Sequence, residues 1–139
     1  MEQRHVDNIS TLIHFMENLN DPRFDMGQFY HGCGTPSCAL GWASTIKELQ
    51  AQGVTTDLFI PGSWADPLAA SDRAFGSSAY GALFNGSRNG HLRTTQQWAD
   101  HARRYLAANG HAVTPKRDDQ REEFRAFMER VVKPVTVTA

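Results

Sequence analysis

With only 2 cysteines in 139 residues, the chain cannot be held together as a disulfide scaffold, and its thiols are expected to be reduced. It shows no N-terminal apolar segment of the signal-peptide kind, no apolar run long enough to span a bilayer and no lipidation signal. A cytoplasmic protein without membrane contact is therefore the expectation. Internal repeats and low-complexity tracts are missing too, which argues against a repeat architecture or extended disorder. So are the Walker and dinucleotide fingerprints, and no cofactor is expected.

What is present is globular: 40% apolar and 21% charged residues, in a chain long enough for one core and too short for two ordinary domains. One domain over residues 1–132 with a tail over 133–139 is expected. The net charge of −1 hides an asymmetry, because residues 1–86 hold 4 basic against 9 acidic residues while residues 87–139 hold 10 against 6. The basic half could meet an acidic protein surface or nucleic acid. Its interspersed acids make solvated helix faces the default reading.

The apolar pattern is helical almost throughout. Val6, Ile9, Leu12, Ile13, Met16 and Leu19 predict a helix over about 5–19, stopped by Asn20-Asp21-Pro22. An ordered loop rich in aromatics and glycines should follow. Thr35 as N-cap and Pro36 at the first helical position predict a second helix from Pro36 to about Gln52, with Cys38 near its third position. Its stripe of Cys38, Trp42, Ile46 and Leu49 should face the core. Asp66-Pro67 repeats the start signal for a helix that Gly76 ends, and a short helix holds Tyr80, Leu83 and Phe84. Asn85 to Gly90 reads as the most flexible loop in the chain. Thr94 or Thr95 opens a helix that closes at Asn109-Gly110, and Asp118 or Asp119 opens a last one, stopped by Pro134. The expected fold is mainly α, a single compact domain of five or six helices.

Phe24-x-Met26 followed by Cys33-Gly34-Thr35-Pro36-Ser37-Cys38-Ala39-Leu40-Gly41-Trp42-Ala43 resembles the motif of a widespread family of small bacterial and bacteriophage proteins, Phe-x-Met and then Cys-Gly-Thr-x-x-Cys-x-x-Gly-His/Trp-Ala. A looser second block at Phe75-Gly76-Ser77, Leu83-Phe84 and Thr94 extends the resemblance over about residues 24–106. The resemblance implies a small helical protein of phages and mobile elements, and no established activity.

Several residues could carry chemistry. His31, Cys33 and Cys38 are soft or borderline ligands close in sequence, with His91 or His101 as the candidate fourth, but the spacing is poor for zinc, so no metal is expected. Cys38 near a helix N-terminus, with a histidine from elsewhere, would be the arrangement of papain-like hydrolases, with Cys33 as the more exposed thiol. The helix dipole would lower the Cys38 pKa and burial would raise it. His91, His101 and His111 stand ten residues apart, a spacing without helical meaning. In the turn itself, Gly34 permits the bend and Gly41 allows a close approach to the helix.

Arg121, Arg125, Arg88 and Trp64 are the expected partner contacts, whereas Trp98 should pack in the core. The favoured expectation is a non-enzymatic helical binding protein, encoded by a phage or mobile element, that occludes a host protein surface; an anti-CRISPR inhibitor is one concrete form. A cysteine-dependent enzyme or zinc protein using Cys33 and Cys38, and nucleic-acid binding through the basic half, are the alternatives.

Overall fold

Buried residues at Val6, Ile9, Leu12, Ile13 and Met16 recur every three or four positions, so the first helix, α1 (Gln3–Leu19), turns one continuous apolar stripe inward. The structure, a computed structural model, describes residues 2–27, 37–55 and 66–111. After α1 come α2 (Ala39–Ala43), α3 (Lys47–Gln50), α4 (Pro67–Phe75), a π-helical turn (Tyr80–Phe84), α5 (Gly86–Asn89) and α6 (Thr95–Ala108). The fold is mainly helical, and the described residues contain no strand. The expected last helix, with Arg121 and Arg125, lies outside the described residues, as do His31, Cys33, Gly34, Thr35, Pro36 and Trp64.

Helix α1 packs chiefly against α6 and α4. Trp98, Ala99, Ala102 and Leu106 of α6 and Ala70, Ala74 and Phe75 of α4 are buried around it. At the periphery Arg103 of α6 and Glu17 of α1 form an ion pair at 2.6 Å. Local chemistry sets the helix ends where the sequence places them. Asn20, in left-handed conformation at φ 45°, caps α1, Asp66 accepts the Leu68 N–H at 2.9 Å to open α4, and Thr94 and Gln97 form a capping box that opens α6.

The stretch expected as one helix from Pro36 to Gln52 is instead two short ones. Ser37 exchanges two bonds with Asp25, its Oγ donating to the Asp25 carbonyl and its own carbonyl accepting the Asp25 N–H, both at 3.0 Å. Cys38 is accordingly extended (φ −91°, ψ 173°) and is the N-cap of α2, not its third residue. The break after Ala43 also comes from hydroxyls. Ser44 Oγ donates to the Gly41 carbonyl at 2.6 Å and Thr45 Oγ1 to the Trp42 carbonyl at 2.7 Å, competing with backbone continuation of the helix. Ile46 is then extended and restarts the chain as the cap of α3. The inward stripe nevertheless survives, since Cys38, Trp42, Ile46 and Leu49 are all buried.

A second difference lies at Asn85 to Gly90, expected as a loop and found as α5. Asn85 accepts the Ser87 N–H at 2.9 Å, and buried Asn89 returns a bond to the Asn85 carbonyl at 2.9 Å. The segment is also wedged against the 26–27 turn. A Cβ on Gly86 would stand 2.5 Å from the Met26 carbonyl oxygen, so only glycine fits there.

Polar bonds inside the core join α1 to its neighbours. Buried Asn8 donates to the Ala74 carbonyl at 2.7 Å and pairs reciprocally with the Gln52 amide at 2.7 and 3.0 Å. Truncation to Asn8→Ala leaves a buried carbonyl and an amide without their partner and should cost about 1–3 kcal/mol. Urea unfolding of the two proteins measures it, and a change within ~0.5 kcal/mol would contradict the bridging role.

Candidate functional site

The widened turn at Tyr80–Phe84 organises a concavity lined by two arginines. Its backbone closes from residue i to i+5, with the Asn85 N–H reaching the Tyr80 carbonyl at 2.8 Å. Three of its carbonyls are met by side chains from later helices. Asn89 Nδ2 donates to Gly81 at 3.5 Å, His101 Nε2 to Ala82 at 2.8 Å and Trp98 Nε1 to Leu83 at 2.9 Å. A carbonyl only accepts, so Nε2 of His101 carries a proton and the orientation of the ring is fixed.

Between this turn, α5 and α6 lies a cleft of about 360 Å³, lined by Gly81, Ala82, Arg88, Asn89, His101, Arg104 and Tyr105. His101, Arg104 and Tyr105 share one face of α6 because they are three and four residues apart. Arg88 arrives from α5, and its guanidinium lies over Gly81, with Nη1 3.2 Å from where a Cβ would stand. Tyr105 is held by a hydrogen bond between its hydroxyl and Ser78 Oγ.

Arg88 and Arg104 are exposed, and among the described residues neither side chain has an ion-pair or hydrogen-bond partner. No acid lines the cleft among the described residues. Asp100, one turn before Arg104, is engaged by Gln96 Nε2 at 3.0 Å, and Glu17 is taken by Arg103. Two guanidiniums thus line a concave surface whose described lining holds no acid.

No family model, curated protein or solved structure matches this chain. Its site therefore has to be read from its own residues.

Two further concavities differ in their charge. One of about 470 Å³ is lined by Met26, Gly27, Tyr80, Phe84, Asn85, Gly86 and Ser87, without an ionic side chain among the described residues. Burial raises the Tyr80 pKa there, reinforced by Cys38 and Asp66. Another, of about 370 Å³, mixes Arg23 and Arg93 with Asp25, and Arg23 is paired to Asp21 at 2.8 Å.

Cys38 is buried at the head of α2. Desolvation pushes its thiol up to about 11, against the opposing effect of the Gly41 N–H, which donates to Sγ at 3.4 Å. Of the two effects the sequence sets against each other, burial is the larger, and the sulfur is an inert thiol at neutral pH. Gly41 and Trp42 are buried beside it, the Trp42 ring packing on Phe15 at 5.9 Å. Of the set His31, Cys33 and Cys38, only Cys38 is described, and no metal-sized group of three His, Cys, Asp or Glu forms among the described residues.

Among the expected partner contacts, Arg88 alone is described, and it lines the cationic cleft. Arg104 and Tyr105 are not among the contacts expected from the sequence, where His101 enters only as a candidate fourth zinc ligand; the signal that could have found the three together is their spacing of three and four residues on α6. Of the three evenly spaced histidines, His91 and His101 have their rings edge to face at 6.3 Å.

Proposed function

We propose that this chain acts by binding, as a small helical protein that occludes an acidic surface of a host protein. A phage- or mobile-element-encoded inhibitor of a host-defence system, such as an anti-CRISPR protein, is the concrete form we favour. The observation that carries the reading is the cleft lined by Arg88 and Arg104 with no acid among its described lining residues. Unpaired arginines keep their planar donor forks available, and arginine is enriched at the energetic centres of interfaces. The buried, protonated Cys38 weighs against a thiol nucleophile at that position. The resemblance of the Phe24 to Ala43 stretch to small phage proteins supports the setting.

Reversing both charges (Arg88→Glu with Arg104→Glu) should abolish retention of the partner that the native chain captures from host lysate, with the circular dichroism spectrum unchanged. Equal retention by both proteins would remove the cleft from the interface. The same guanidiniums also suit nucleic-acid phosphates, the second reading. It predicts DNA or RNA binding that falls steeply with salt, and the absence of any shift at low salt would eliminate it.

A further inference from the structure

We propose that the cleft between the π-helical turn, α5 and α6 is a receptor for a phosphate monoester dianion. The site is the one assigned above to partner binding, and what is added is the chemical group it takes. Charge balance selects that group. Arg88 and Arg104 bring two positive charges to one concave wall, and no acid stands among the described residues that line it. A carboxylate or a phosphodiester neutralises only one guanidinium. A phosphate monoester carries a charge of about −1.5 to −2 at neutral pH and offers three acceptor oxygens, enough for two forks approaching from different elements.

Neighbouring side chains in the lining are held by the scaffold. Gly81 leaves room for the Arg88 guanidinium to lie against the π-helical turn, and a Cβ would stand 3.2 Å from Nη1. His101 is pinned to the Ala82 carbonyl at 2.8 Å and Tyr105 to Ser78, so the wall between the two arginines is rigid. At about 360 Å³ the cleft is at the small end of ligand sites, suited to a phosphate and the first atoms of what carries it. The carrier is either a free small molecule or a phosphorylated side chain of a protein partner.

The test is an NMR titration of the isotope-labelled full chain at about pH 7.5, above the second ionisation of phosphate. Inorganic phosphate is compared with acetate and dimethyl phosphate at equal ionic strength. Phosphate should give saturable shifts at Gly81, Ala82, Arg88 and Arg104, while the two monoanions bind at least several-fold more weakly. Arg88→Gln and Arg104→Gln, each confirmed as folded by circular dichroism, should each weaken phosphate binding about tenfold or more.

A phosphoserine peptide that binds much more tightly than free phosphate, with its unphosphorylated form silent, assigns the carrier to a protein side chain. Equal affinity for peptide and free phosphate assigns it to a small molecule. No saturable shift with phosphate, an unchanged response in both arginine variants, or equal binding of the monoanions would overturn the assignment. If charge reversal abolishes partner capture while the native chain ignores phosphate, the interface stands and the phosphate site falls. If phosphate binds as expected and partner capture is indifferent to charge reversal, the phosphate site stands alone.

Discussion

Replacing Trp98 by alanine should lower the unfolding free energy by about 3–5 kcal/mol, a large share of the ~5–15 kcal/mol that stabilises a domain of this kind. The side chain is fully buried, and its indole packs on Phe84 at 6.0 Å and 28°. Phe84 in turn packs on Phe75 at 5.0 Å, so one ring on α6 is coupled through the π-helical turn to α4. The indole N–H also supplies the bond to the Leu83 carbonyl at 2.9 Å. Trp98→Phe separates these contributions. It keeps most of the ring area and loses the donor, for about 1–3 kcal/mol. Urea unfolding followed by circular dichroism reads both variants. An alanine variant within ~1 kcal/mol of the native chain would show that Trp98 is not the centre of the core.

Cys38 should be almost silent towards alkylation in the native state. Studied in a Cys33→Ser background, it should react with iodoacetamide at about pH 8 roughly 100-fold more slowly than an ordinary thiol, since a pKa of about 11 in place of 9.0 leaves about a hundredth of the thiolate. Unfolding should restore the ordinary rate. A native rate as fast as that of the unfolded chain would revive the nucleophile reading. The same displacement makes stability fall with rising pH. Below 9.0 the thiol is protonated in both states and its contribution is intact. Between 9.0 and about 11 the unfolded chain releases the proton and the native chain keeps it, so stability is lost at about 1.4 kcal/mol per pH unit. The difference in pH dependence between the native chain and Cys38→Ala isolates that slope, and identical slopes would contradict the burial of the thiol.

These features were legible in the sequence to very different degrees. The starts of α4 and α6 could be read because Asp66 and Thr94 satisfy backbone donors two or three residues ahead. The stop of α1 could be read because Asn20 tolerates the left-handed turn. The false start at Pro36 had the same local signal, yet Ser37 is bound to Asp25, twelve residues earlier, and that pairing moves the opening to Ala39. Asn85 was a cap that could have been recognised, but a four-residue helix leaves no periodicity to confirm it.

The helical class, the inward stripes and the ends of the longer helices follow from local residues, because caps and side-chain periodicity act within one or two turns. Packing between elements sets which way the Cys38 equilibrium falls and places Arg88 and Arg104 in the lining of one cleft. Desolvation depends on what other elements cover a group, and the charge of a cleft depends on which acids are already committed elsewhere. Neither quantity belongs to any single stretch of chain.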